Sequence, residues 1–188
     1  MAINILKSNV LLVNDQDKFI KIIDKLTAHK QGLLHRAYSI FVFRKNNNKV
    51  ELLLQQRSKE KYHSKGLWTN TCCSHPVAEK ELINQATARL YEEMGINIKL
   101  IEINSFRYFT KLDNEMFEHE VDHVLIGSWN EQEICPNPSE VMSYCWIDIA
   151  TLIEKIKTKP ELFTPWLFQA LEIALNSNHF KKLMLPDK

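Results

Sequence analysis

Apolar, β-rich runs occupy Tyr38–Phe43 and Val50–Gln56, two segments separated by the polar Asn46, Asn47 and Asn48. That pattern predicts a β-hairpin with a polar tip. The pattern then changes. Leu82, Ala86, Leu90 and Met94 recur every fourth residue, which predicts a helix from about Lys80 to Met94, with Gly95 suited to its C-terminal cap. Ile96–Phe109 and Glu120–Trp129 return to strand patterning. Pro136 and Pro138 mark a loop before a short strand, Met142–Ile147. Two helices are expected to follow, Ile149–Lys157 and Pro165–Asn176, the second with proline in its first turn. Strands interleaved with one central and two terminal helices predict an α/β fold, a mixed sheet sandwiched between helices.

No repeat, low-complexity tract or linker divides the chain, so residues 1–188 are expected to form one domain with a core spanning about 25–176. Hydrophobic residues make up 45% and charged residues 25%, a globular balance. The net charge of +1 gives no electrostatic reason to expect nucleic-acid binding. No apolar run approaches the roughly 20 residues that cross a bilayer. Met1–Asn9 lacks the organisation of a signal peptide, which makes the cytoplasm the expected location. Cys72, Cys73, Cys135 and Cys145 form no regular framework, so free thiols are expected, the last two as packing residues.

Some polar residues are hard to explain as surface decoration. Glu118 and Glu120 lie two apart at the start of a strand and share one face, with His119 on the other. They form either a solvated edge or a pair holding a divalent cation between them. In Thr69–Pro76, an extended backbone puts Cys73 and His75 on one side and Cys72 on the other. That leaves two readings: a thiol and an imidazole that interact or share a metal, or a buried cysteine and a capping histidine. His29 and His35 add two imidazoles, and imidazoles with carboxylates suit Zn²⁺ or Mn²⁺. Arg89, Glu92 and Glu93 crowd a helix C-terminus whose dipole disfavours acids. Either a metal or substrate stabilises that turn, or Arg89 and Glu93 make an ordinary i,i+4 pair. Arg57, Lys59, Lys61 and Lys65 cluster in a loop that is either a phosphate clamp or a solvated run. Trp68, Tyr108 and Trp166 are core aromatics or, together, a wall able to stabilise a cation.

Taken jointly, the strings Leu34–Ser39, Leu67–Pro76, Phe106–Tyr108, Glu118–Glu120 and Phe163–Trp166 resemble the type I isopentenyl-diphosphate isomerases, in the family's order and across about Lys25 to Trp166. The most specific is Trp68-Thr-Asn-Thr-Cys-Cys-Ser-His-Pro76. The resemblance implies a Nudix-like fold, a first metal (Zn²⁺ or Mn²⁺) on His29, His35, His75, Glu118 and Glu120, and Mg²⁺ accompanying the substrate diphosphate near Glu93. It further implies Cys73 and Glu120 as the proton-transferring pair, assisted by Tyr108. Lys25, Arg57, Lys61 and Arg89 match diphosphate-binding positions, and Trp166 lines the hydrocarbon pocket with Tyr108. A small-molecule diphosphate is the expected partner, and a monomer the expected state.

The chain departs from the Nudix hydrolase signature. Aligned on Glu92–Ile96, Ser74 stands at its leading glycine, Lys80 at its first glutamate, and Ala88 and Arg89 at its Arg-Glu pair. Two rivals follow: a Nudix diphosphohydrolase, disfavoured by those losses, and a non-enzymatic zinc-binding module.

Overall fold

The computed structural model describes residues 8–183. In chain order these form β1 (Asn9–Val13), β2 (Phe19–Asp24), α1 (Lys25–Gln31), β3 (His35–Asn46), β4 (Lys49–Arg57), β5 (Trp68–Thr69), β6 (Cys72–Ser74), α2 (Leu82–Met94), β7 (Ile101–Lys111), β8 (Phe117–Ser128), β9 (Val141–Asp148), α3 (Ile149–Thr158), α4 (Leu167–Asn176) and α5 (Asn178–Leu183).

The expected hairpin is β3–β4, turning at Asn47 in the left-handed region. Its strands pair with each other only near the tip, from Asn46↔Lys49 to Phe43↔Leu52. Beyond Phe43 they diverge. β3 takes β8 as a parallel neighbour on one side and β6 on the other, while β4 pairs with β9 and with β5. The segment 68–74 is thus a wedge between two strands that began as a hairpin.

Its side chains replace the missing ladder. Thr71 Oγ1 accepts from the Val42 N–H at 2.9 Å and donates to the Leu53 carbonyl at 2.6 Å, tying β3 to β4 where they part. Asn70 Nδ2 donates to the Ile40 and Cys72 carbonyls at 3.2 and 2.7 Å. Thr69, Asn70 and Thr71 have no solvent exposure, so every polar atom must find a partner inside the protein.

Successive residues of the central strands go to opposite faces, and both faces are covered. Ile40, Val42 and Leu53 pack with Ala86, Leu90 and Met94 of α2. Phe41, Phe43, Leu52 and Leu54 pack with Leu152 of α3 and Leu167, Ala170 and Leu171 of α4. The result is one mixed sheet between helices, as the order of strands and helices predicts.

Most boundaries shift by one to three residues, β3 and β8 beginning at His35 and Phe117 for instance, and three differences have a local reason. α2 begins at Leu82 because Glu81 sits at φ 64°, and Gln85 folds back to accept from the Val77 N–H and donate to the Lys80 carbonyl. Ile96, Ile98 and Leu100 alternate like a strand and are buried, yet the strand starts at Ile101. The Gln132 side chain bonds both the N–H and the carbonyl of Asn97, in place of a neighbouring strand. Pro165 precedes α4, with Trp166 as its N-cap residue.

The elements before Lys25 were not expected. β1 and β2 form an antiparallel pair whose Leu12 meets His35 of β3, so buried apolar residues begin at Val10 rather than near Lys25. No helix among the described residues is long and apolar enough to cross a membrane.

Candidate active site

One cavity of about 630 Å³ opens at the end of the sheet where β3 and β4 are wedged apart. Its inner wall comes from β8. Phe117–Ser128 alternates, so Glu118 and Glu120 project together into the cavity while His119 turns away to bond the Gly32 carbonyl. α1 adds His29, and β3 and the residue after β6 add His35 and His75. Nε2 of each histidine and one oxygen of each glutamate all lie within 4.8 Å of one another.

Whether this cluster fits a metal ion depends on its protons. The Nδ1 atoms of His29 and His35 lie 2.6 and 2.8 Å from the Lys25 and Leu33 carbonyls, which aims each Nε2 inward. Burial pulls the His29 imidazole down from its ordinary value and takes His75 to about 3. His29 Nε2 lies 3.0 Å from Glu118 Oε2 and His75 Nε2 2.9 Å from Glu120 Oε1. His35 Nε2 is buried with no hydrogen-bond partner, and Glu118 Oε2, despite its approach to His29, makes no hydrogen bond of good geometry. Burial, and Glu120 beside it, push the Glu118 carboxyl well up. Five converging donors with too few protons among them fit a divalent cation.

The wedge forms another part of the lining. Cys73 faces the cavity and Cys72 the α2 core, the alternation expected of an extended segment. Burial pushes the Cys73 thiol up to about 12, against the pull of Arg57, whose Nη1 lies 3.7 Å from Sγ. Tyr108 of β7, directly opposite Glu120 in the ladder, donates its hydroxyl to Glu120 Oε2 at 2.5 Å. Trp166 closes the side, its Nε1–H held at 3.3 Å from Asn70 Oδ1, so the wedge positions both the thiol and the indole.

The cavity mouth is cationic. Lys25, Arg57, Lys61 and Arg89 all line it, whereas Lys59 and Lys65 of the same basic loop are exposed and stay out. The Arg57 guanidinium donates to the His63 and Ser64 carbonyls, each at 3.2 Å, and the loop carrying Lys61 is folded round it. Glu93 is buried at the end of α2. Its Oε1 meets Arg89 Nη2 at 2.6 Å and Lys61 Nζ at 3.4 Å, and its Oε2 accepts from Gln55 at 2.9 Å. Trp68 packs against the α3–α4 core rather than the cavity.

Residues 33–167 match the model of the NUDIX domain family. A protein of Photobacterium profundum named isopentenyl-diphosphate delta-isomerase is 45% identical over 174 residues, covering 92% of this chain and 97% of its own length. One of the same name from Burkholderia multivorans is 40% identical over 169 residues, covering 90% and 94%. The chain belongs to the isopentenyl-diphosphate delta-isomerase family. Solved structures agree on the fold of this isomerase family member. DR0079 from Deinococcus radiodurans superposes with a TM-score of 0.65 at 16% identity, covering 88% of this chain and 96% of that one. The NUDIX domain of Shewanella oneidensis NrtR, complexed with ADP ribose, gives 0.58 at 14%, covering 75% and 84%.

Of the residues assigned from the isomerase resemblance, all line this cavity except His29, His35 and Glu93, which contact its lining residues Glu118, Glu120 and Lys61. Four others were missed. His63 Nε2 lies 3.2 Å from Glu118 Oε1, Tyr62 Oη 3.2 Å from His29 Nε2, Gln55 backs Glu93, and Glu140 touches Lys61 and Arg89. His63 and Tyr62 stand in a run read for its lysines, and nothing around Glu140 marks it in sequence.

Proposed function

We propose that the cavity interconverts isopentenyl and dimethylallyl diphosphate by protonating one carbon of the alkene and removing a proton from another. The observation that supports the reading is that Cys73, Glu120 and Tyr108 line one cavity with Lys25, Arg57, Lys61 and Arg89, Tyr108 bonded to Glu120. Moving an unactivated double bond passes through a tertiary carbocation-like species. It requires an acid on one face, a base on the other, and no water between. Because the reaction is reversible, the group that donates in one direction accepts in the other. Cys73, kept as a thiol by burial, and Glu120, hydrogen-bonded to Tyr108, are the groups assigned to these two roles.

His29, His35, His75, Glu118 and Glu120 would hold Zn²⁺ or Mn²⁺, and Glu93 would hold Mg²⁺ brought with the diphosphate. The first ion supplies a positive charge that lets two buried glutamates coexist and tunes the acidity of Glu120. The π face of Trp166 stabilises the developing cation by up to about 2 kcal/mol. Lys25, Arg57, Lys61 and Arg89 hold the diphosphate, so that remote binding energy positions a tail with nothing polar to grip. Where the hydrolase signature has a carboxylate, this chain has Arg89, a cation facing the anion site, which favours holding a diphosphate over cleaving it.

The test is a proton NMR time course with isopentenyl diphosphate in D₂O, with Mg²⁺ and either Mn²⁺ or Zn²⁺. Dimethylallyl signals growing with deuterium incorporation are expected. Phosphate release from nucleoside diphosphates without isomerisation would instead assign a hydrolase on the same fold.

A further inference from the structure

The two oxygens of Glu118 meet different partners. Oε2 lies 3.0 Å from His29 Nε2 and 4.0 Å from His35 Nε2, two of the five converging donors. Oε1 instead meets His63 Nε2 at 3.2 Å. His63 is not one of the five, yet it is 4% exposed and lines the cavity. Its other ring nitrogen, Nδ1, lies 3.1 Å from Ser64 Oγ. The loop that carries it is held in place locally. Ser64 turns the backbone in the left-handed region at φ 50°, and Arg57 binds the carbonyls of both His63 and Ser64. The imidazole also makes edge contacts with Tyr62 and Trp166, with centroids 4.4 and 6.1 Å away.

We infer that His63 is a positioning residue: it fixes the rotation of the Glu118 carboxylate so that Oε2 stays toward His29 and His35. This rests on the reading that the His/Glu cluster holds Zn²⁺ or Mn²⁺. Hydrogen-bond roles set the tautomer. A carboxylate ligand only accepts, so His63 Nε2 carries the ring proton toward Oε1. Nδ1 is then an acceptor, and the Ser64 hydroxyl is placed to donate to it. The last torsion of a glutamate side chain is soft, so nothing in Glu118 itself selects one oxygen for the ion. A donor held on Oε1 does select it, and it also gives the second oxygen of a buried carboxylate a partner. That donor is steady because Ser64, Tyr62 and Trp166 all contact its ring.

The experiment titrates metal-stripped protein with Mn²⁺, counting the free ion by electron paramagnetic resonance. Substrate is left out, so the affinities do not depend on whether the cavity isomerises anything. Wild type is compared with His63→Phe, which keeps a ring and loses the donor, and with His63→Ala, which loses both. His63→Gln retains a donor at about the reach of Nε2. Circular dichroism of each stripped variant checks its fold. His63→Phe and His63→Ala should bind Mn²⁺ about 10- to 100-fold more weakly, the range typical of a group that orients a metal ligand. His63→Gln should recover most of that loss. Wild-type affinity in either folded variant that lacks the donor would overturn the role of His63 and leave the metal site standing. So would a His63→Gln variant as weak as His63→Ala, because the loss would then follow the ring and not its proton. A wild type that binds no Mn²⁺ would overturn the metal reading, and the role of His63 with it.

Discussion

Cys73 and Glu120 are asked to do different things, and substitution should separate them. Cys73→Ala removes a proton-transfer group that is not among the converging donors, so turnover should fall by about 10³-fold or more with metal content intact. Glu120→Gln should lose comparable activity and also bind Mn²⁺ or Zn²⁺ more weakly, because its Oε1 belongs to the five-donor cluster. Rates paired with elemental analysis of both variants check this; a Cys73→Ala variant with wild-type turnover would remove the thiol from the chemistry. The sequence exposed these residues because a two-residue spacing on an extended backbone settles which side chains share a face. It could not expose Glu140, whose partners lie 79 and 51 positions away and are brought close only by β9 docking along β4. Glu140 also supplies a pH prediction. Burial alone would raise its carboxyl, but Lys61 and Arg89 hold it down to about 2. Its stabilising contribution is therefore complete above the ordinary carboxylate value and lost as pH falls through about 2. Denaturant midpoints for wild type and Glu140→Gln should converge as pH drops from about 5 toward 2.

At the scale of elements, α2 was readable from its period of about four, and the paired strands from short apolar runs split by a polar turn, because both of their faces are buried. Leu82, Ala86, Leu90 and Met94 face one core, and Gly95 caps the helix at φ 72°. α1 was not readable by that route, since Lys25–Gln31 is two turns long with no apolar stripe. A different signal was available: Asp24 caps the Thr27 N–H at 2.8 Å, and Gly32 closes the helix in the left-handed conformation. Ile96–Leu100 misled because alternate burial records the presence of a core, not of a neighbouring strand. The wedge offers the sharpest test at this scale. Thr71→Val keeps the volume but leaves the Val42 N–H and the Leu53 carbonyl buried without partners. A loss of about 2–4 kcal/mol in denaturant melts is expected. A change below about 1 kcal/mol would mean that the two strands do not depend on Thr71.

For the whole molecule, the two apolar cores on either face of the sheet owe nothing to the His/Glu cluster. Chelator-treated protein should therefore keep its far-UV circular dichroism at 25 °C, unlike a domain folded by zinc alone. The cluster still opposes buried carboxylates to one another, so reloading with Mn²⁺ or Zn²⁺ should raise the melting temperature. The gain is about 4 kcal/mol when the ion is a thousandfold above its dissociation constant. Collapse of the stripped protein would favour a structural zinc module instead.

The wedge also provides a built-in gauge. The Val42 amide gives its proton to a side chain, Thr71 Oγ1, on the same short segment that carries Cys73 and steers Trp166 through Asn70. Its hydrogen-exchange rate therefore registers, at one amide, whether the segment carrying Cys73 is seated. Slow exchange at Val42 in metal-free protein would show that the chain seats this segment before any ion arrives. Fast exchange that slows on metal addition would make the ion the last piece of the sheet to be set.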